Sequence, residues 1–494
     1  MKRMKKFVLN ALAAILLLMC FAACRGNVNV EEKFYTVEFV PEENAQVLND
    51  VPLLQTVKEG ESIQIPELFR EFYGYQWDKE ILADDVREDA VYTAQWAMLE
   101  CKLPVLKINM ADDLGEITSK VEYRSCRVQL IYPENAAYEF DITAELRGRG
   151  NSTWGTPKNP YRLRFPKANP IGILGSDYEA RSWTLLANYF DRTLLRNAIV
   201  FDFARQLSGL TFTPMAKFAE LYFNDDYRGI YMISDQVSDL AVTGKRVPVE
   251  NPSKTETEPD FLLELDCRLP EDETEIYGET WFWSEYGRPF AIKTDATAAQ
   301  FQYIVNETNR LEGIILNGSF LQVQQAIDIP SFIDFFLLCE LFKNPDVAFS
   351  SAYCYKTKNG KLTMTPVWDF DICGGNGLCG EGWAHDITTS GLYAQTTHWW
   401  FQRLMTLPQF KAQYVARWNE LYEQKIPGMI DRISVYGAYM ADYFGKDQAK
   451  WETLQKSLSN PTADAIGTYQ GQIDYFQNFM KERAEWLNQY YTYN

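Results

Sequence analysis

The hydrophobic rhythm of this 494-residue chain changes once, near Asp295, and that change limits the fold more than any other feature. Before it, apolar and polar residues alternate over short runs such as YEFDITAELR, YRLRF, FAELYF and DFLLELD, the period of two expected of strands. After it, the text is mostly of helical spacing, interrupted by one strand pair, YCYKTK and KLTMTPVWDFD, around the turn Asn359-Gly360. Strand-patterned and helix-patterned halves that follow one another predict an α+β fold with a strand-rich lobe, a helix-rich lobe and a cleft between them. The length exceeds what one hydrophobic core usually serves, so more than one domain is expected. Within the first half, Leu194, Leu195, Ile199, Val200, Phe203 and Leu207 predict one helix closed by Gly209, and FAELYF, NDD and YRGIYMIS predict a hairpin.

The N-terminus combines a basic start (Lys2, Arg3, Lys5, Lys6) with an apolar run too short and too early to favour a spanning helix, the layout of a secretory signal. Phe21-Ala22-Ala23-Cys24 resembles a bacterial lipobox, which implies a lipid anchor on Cys24 at the cell envelope; Cys20 and ordinary secretion are the alternatives. The expected domain plan is a lipoprotein signal peptide over 1–24, a tether over 25–32, a small β module over 33–98 and a larger domain over 103–490. The small module resembles the β-grasp-like Listeria-Bacteroides repeat, through Tyr35-Thr36-Val37-Glu38-Phe39 at its start and Ala94-Gln95-Trp96 at its end.

A formal net charge of −19 argues against nucleic acid as a partner, because most of the surface repels a phosphate polymer. It also makes the stretch LRGRGNSTWGTPKNPYRLRF conspicuous, since that stretch carries arginines, a lysine and glycines with no acid. Gly148 and Gly150 would let the backbone approach a ligand, with Arg149, Asn151, Ser152, Lys158, Arg162 and Arg164 around an oxyanion; the competing reading is a turn with a solvated basic face. The expected strand Tyr161 to Phe165 sends Arg162 and Arg164 to one face.

Pro366-Val367-Trp368-Asp369-Phe370-Asp371 reads as a strand end on which Asp369 and Asp371 point the same way and Trp368 and Phe370 face the core. Two adjacent carboxylates suit a hard divalent cation, and the following GGNG gives the backbone freedom beside it. Asp346, in Lys343-Asn344-Pro345-Asp346, is either a turn residue or a third carboxylate brought close by the returning hairpin. Cys101, Cys126, Cys267, Cys339, Cys354, Cys373 and Cys379 lack metal-type spacing and read mostly as buried thiols, with a Cys373–Cys379 disulfide left open. With His385 and His398 the only histidines, a carboxylate is the better candidate for a base.

In order, RGRGNSTW…PKNPYRLRF, LLANYFDRTLLRN, LYFNDDYRGIYMISDQ, DFLLELD, KNPD and PVWDFDICGGN resemble the motifs of the CotH kinase family over about residues 103–490. The resemblance implies an atypical protein-kinase-like fold that transfers the γ-phosphoryl of ATP to Ser or Thr with Mg²⁺ or Mn²⁺. It assigns Asp346 as the catalytic residue, Asp369 and Asp371 as metal ligands, and Arg149, Lys158, Arg162 and Arg164 as phosphate cations. Arg196 is a further cation for the cleft or a structural ion-pair partner. The chain departs from the family at two positions: Ser351 stands where an Asn would hold a second metal, and Asp235 where the hairpin carries Glu. Two further readings stand beside an envelope kinase acting on surface proteins. One is a surface binding or scaffold protein that keeps the fold without catalysis. The other is a glycan binder using some of its many aromatic rings.

Overall fold

The structure is a computed structural model that describes residues 32–41, 45–70, 72–110, 116–176, 178–237, 247–268, 275–276, 279–380 and 383–493. The signal peptide, Cys24 and most of the tether lie outside the described residues. Among the described residues no helix is long and apolar enough to cross a membrane. The chain divides into two compact units, Met1–Leu99 and Glu100–Asn494.

The first unit holds β1 (Phe34–Val40), β2 (Gln46–Val47), β3 (Leu54–Lys58), β4 (Leu68–Phe69), β5 (Tyr73–Trp77) and β6 (Ala90–Met98). Its main sheet has the order β3-β1-β6-β5, with β1 and β6 parallel and the outer pairs antiparallel. Alternation along β1 buries Val37 and Phe39, which pack with Ile63, Val86 and Tyr92 in a small core. No helix lies among the described residues of this unit.

The second unit begins with β7 (Val105–Met110), β8 (Arg124–Ile131), β9 (Phe140–Gly148), β10 (Tyr161–Arg164), β11 (Ser182–Leu186), β12 (Lys217–Phe223) and β13 (Asp226–Asp235). These close into a barrel of order β10-β11-β13-β12-β7-β8-β9, which leaves no free sheet edge. Inward residues such as Ile108, Val128, Leu146, Leu163 and Leu221 fill it. The β12–β13 hairpin turns on Asn224 and Asp225, both at positive φ (46° and 66°), the conformation that a tight two-residue turn demands.

A second sheet of order β15-β16-β17-β14-β18-β19 is built from β14 (Phe261–Leu265), β15 (Glu275–Ile276), β16 (Glu279–Trp283), β17 (Pro289–Ile292), β18 (Ala352–Lys356) and β19 (Thr363–Met364). The helices of this unit are α1 (Arg196–Ala204), α2 (Ala298–Asn317), α3 (Phe320–Ala326), α4 (Ile329–Phe342), α5 (Ala394–Thr397), α6 (Trp399–Leu404), α7 (Pro408–Gln424), α8 (Ile426–Trp451), α9 (Pro461–Asp464) and α10 (Tyr469–Tyr493). The large core joins α4, α7, α8 and α10 through Phe332, Leu338, Trp418, Met440, Phe476 and Met480. It also takes in Phe218, Ile230 and Met232 from β12 and β13, so that hairpin serves both cores. The fold is α+β.

The helix expected from Leu194 to Leu207 is shorter at both ends. Leu194 sits at φ 60°, which cannot continue a helical turn, and α1 starts at Arg196. All its residues but Asp202 are buried, so it is a core helix and not an amphipathic one. Cys101, Cys126, Cys267, Cys339, Cys354, Cys373 and Cys379 are free thiols, and the Cys373–Cys379 bridge left open from the sequence is not formed.

Candidate functional site

Helix α4 ends where Lys343 turns to φ 48°, and Pro345 prevents another turn. The chain then makes a short 3-10 turn, Pro345–Ala348, in which the Asn344 side chain accepts a hydrogen bond from the Asp346 amide at 3.0 Å. The Asp346 carbonyl accepts from the amides of Phe349 and Ser350, at 2.9 and 3.0 Å. The Cys267 amide, just past β14, donates to the Phe349 carbonyl at 2.7 Å, which ties this turn to the second sheet. Asp346 is therefore a half-buried turn residue held rigidly through its backbone.

The hairpin β18–β19 returns the chain as expected, pairing Cys354 with Met364 and Tyr355 with Thr363. The strand stops there. Residues 365–370 are irregular, and Asp369 adopts φ 63°, so strand alternation is not what orients Asp369 and Asp371. Side chains on both sides hold the segment instead: Trp368 stacks on Phe201 of α1 at 6.0 Å, and Phe370 meets Phe342 edge-on at 6.4 Å. The Phe370 amide donates to Asn197 Oδ1 of α1 at 2.7 Å, and Asn376 Nδ2 donates to the Asp371 carbonyl at 2.8 Å. Ser351, also left-handed at φ 59°, donates its hydroxyl to Asp369 Oδ2 at 3.4 Å. Two non-glycine residues in this conformation, touching each other, store about 1–3 kcal/mol each, and such strain concentrates at functional sites. The glycines that follow have a packing role: a Cβ at Gly374 or Gly375 would lie 2.6 Å from Phe476 or 2.7 Å from Phe479 of α10.

Burial pushes the carboxyls of Asp346, Asp369 and Asp371 above the usual carboxylate range, and for Asp346 and Asp371 the next cause is the charge of Asp369. Asp371 lies close enough to Asp369 to act on its proton affinity, the smallest of the causes at that carboxyl. Two guanidiniums oppose the repulsion: Arg149 faces Asp369, and Arg268 faces both Asp369 and Asp346. Arg149 also lies over the Trp368 ring, 5.6 Å from its centre. Glu264 and Asp266 add carboxylates from β14 and its end, the former paired with Lys293 at 2.7 Å.

Of the cationic stretch, Arg149 reaches the carboxylates and Arg162 lies close to Arg149. Asn151 and Ser152 are exposed at the start of a short turn, with the Asn151 side chain beside the Arg268 guanidinium. The glycines do not open a cradle here. A Cβ at Gly148 would lie 2.2 Å from the Trp154 ring, and one at Gly150 would lie 2.5 Å from Thr153 Oγ1.

Lys158 is a correction to the phosphate assignment: it is 1% exposed, and its ammonium donates to Asp447 Oδ1 of α8 and to the Ile230 carbonyl, both at 2.7 Å. Arg164 pairs with Glu145 on the neighbouring strand at 2.7 Å and covers Tyr123. Strand alternation aims it at the barrel's outer face. Arg196 takes the structural alternative, bound to Asp191 at 2.5 Å and to the Cys373 carbonyl at 2.9 Å, where it braces the segment after Asp371. Asp235 is fully buried and accepts hydrogen bonds from the Tyr178 hydroxyl at 2.7 Å and the Met215 amide at 2.6 Å.

Asn197, Glu264, Asp266 and Arg268 belong to the site and were not singled out from the sequence. Glu264 and Asp266 alternate in DFLLELD and so share a strand face, a signal that was present. Arg268 had none.

Among the described residues no group of three or more His, Cys, Asp or Glu side chains is arranged to hold a metal ion. Mg²⁺ in phosphoryl-transfer sites takes one or two carboxylates and completes its shell with water and phosphate oxygens. The charge of Asp369 bears on Asp371, a repulsion that a cation would relieve, so these two carboxyls fit that donor set. A family profile described as CotH kinase protein matches residues 146–487, a span that contains all of these side chains. No curated protein matches the chain.

Proposed function

The chain belongs to the CotH kinase family, and on that premise we propose that it is an atypical protein kinase that moves the γ-phosphoryl of ATP to Ser or Thr hydroxyls of envelope or surface proteins. The observation that carries the reading is the convergence of three segments: Arg149 lies over the Trp368 ring beside Asp369, the Ser351 hydroxyl reaches Asp369, and the Cys267 amide next to Arg268 ties down the turn of Asp346. Phosphoryl transfer asks little covalent chemistry of a protein and much positioning and charge stabilisation. Asp346, fixed by its 3-10 turn, would orient the acceptor hydroxyl and take its proton; burial raises its proton affinity toward that task. Arg149 would neutralise phosphate oxygens from the barrel side. Asp369 and Asp371, with the Ser351 hydroxyl beside them, would hold a Mg²⁺ or Mn²⁺ ion, whose charge would offset that of the phosphate oxygens. Anchoring through Cys24 would place the enzyme at the envelope, and the signal layout of the N-terminus supports that location.

The test is incubation of the purified protein with γ-labelled ATP, Mg²⁺ or Mn²⁺ and a generic Ser/Thr-rich acceptor. Transfer that falls by at least about 100-fold in Asp369→Ala, with an unchanged melting temperature, supports the kinase. Nucleotide binding without transfer by the wild-type protein favours the scaffold reading. Metabolic labelling with palmitate that is lost in Cys24→Ala checks the anchor.

A further inference from the structure

Lys158 is sealed against Asp447, so the cations that can serve a phosphoryl group must come from elsewhere. Register places one. β14 pairs Glu264 with Tyr353 and Leu265 with Ala352, and the Cys267 amide holds the Phe349 carbonyl, so Arg268 emerges at the strand end beside the turn carrying Asp346. Its side chain is 34% exposed, against 1% for Lys158, so a ligand can reach it.

Asp266 grips one edge of the guanidinium, with Nε donating to Oδ1 at 2.6 Å and a second nitrogen donating to Oδ2. A bidentate carboxylate fixes the plane of the fork, which a lysine could not offer. Glu264 stands 3.9 Å from the same nitrogen edge. The remaining edge lies beside Asn151 of the barrel's cationic loop, and its nitrogens suit the oxygens of a phosphate. Arg149, at the end of a barrel strand, lies over the Trp368 ring next to Asp369.

We propose that Arg268 contacts the phosphoryl group transferred by this enzyme and that Asp266 is the positioning residue that aims it. The inference rests on the kinase reading for its chemistry, but its binding component is measurable without turnover.

Binding of Mg·ATP and of adenosine is measured by calorimetry on the wild-type protein, Arg268→Lys, Arg268→Met, and the double variant Asp266→Met with Arg268→Met, which removes the Asp266 carboxylate together with its partner. Both Met variants should bind Mg·ATP at least about tenfold more weakly while adenosine affinity stays the same, because only phosphates meet the fork. Arg268→Lys should recover part of the affinity and little of the turnover. Either Met variant binding and transferring like the wild type overturns the proposal, as does equal weakening for adenosine. Wild-type protein that binds Mg·ATP in an Arg268-dependent way yet transfers no label leaves the contact standing and removes the kinase reading. Wild-type protein that binds no Mg·ATP removes both.

Discussion

Lys158 illustrates how a residue's surroundings, and not its type, fix its role. Its ammonium and the Asp447 carboxylate, 1% and 2% exposed, form a pair that joins the loop before β10 to α8, and Asp447 Oδ1 also accepts from the Ile230 amide. Lys158→Met would strand a buried carboxylate, so unfolding in urea should show a loss of about 3–5 kcal/mol. Replacing Asp447 by Leu in the same chain should restore much of it. The adenosine and ATP affinities of the folded fraction should stay unchanged, which separates a clamp from a phosphate ligand. His398 gives a pH signature. Burial, with the charge of Arg288 as the smaller cause, lowers its pKa from 6.5 to about 3, where Trp399 stacks on the ring and Phe336 meets it edge-on. Between those two values the unfolded chain binds the proton and the fold does not, so stability rises with pH and is lost as pH falls from 6.5 toward 3. In His398→Phe that slope should flatten, a difference of about 3 kcal/mol at pH 4 in denaturant titrations.

At the scale of elements, the site is carried by ends and irregular segments, not by the bodies of strands and helices. The terminus of α4 presents Asp346, the end of β14 presents Arg268, and an unpaired stretch after β19 presents Asp369. Buried α1 holds that stretch through Asn197, which also donates to Asn188 Oδ1 at 3.2 Å. Asn197→Ala should leave the Phe370 amide without a partner, cost about 1–3 kcal/mol in a melting experiment, and lower transfer more than ATP affinity, because Asp369 loses its backbone support. The strands themselves were legible: β9, β10, β12, β13, β14 and β18 fall where alternation put them, and the β12–β13 turn lies on Asn224-Asp225. The conformation after β19 was not legible, since WDFD alternates like a strand and only the docking of Trp368 and Phe370 against Phe201 and Phe342 bends it.

At the scale of the molecule, each unit has its own core, and the large one is shared by α1, the second sheet and the long helices. A fragment of residues 100–494 should therefore fold alone and keep the Mg·ATP affinity of the full chain; scanning calorimetry should show its transition rising with Mg·ATP. What the sequence determined by itself were the properties encoded locally: the change of period that makes the fold α+β, the turn at Asp346, and the carboxylates at 369 and 371 as an ordered set of motifs. What only the tertiary structure decided was which charges meet. Lys158 and Arg268 look alike in a string of letters. The first is 1% exposed against Asp447, contributed by a helix nearly three hundred residues on, and the second stands with Asp346 and Asp369 because strand register brings β14 beside β18. Coulomb interactions and desolvation act through space, so a basic residue's role depends on partners that its neighbours in sequence do not reveal.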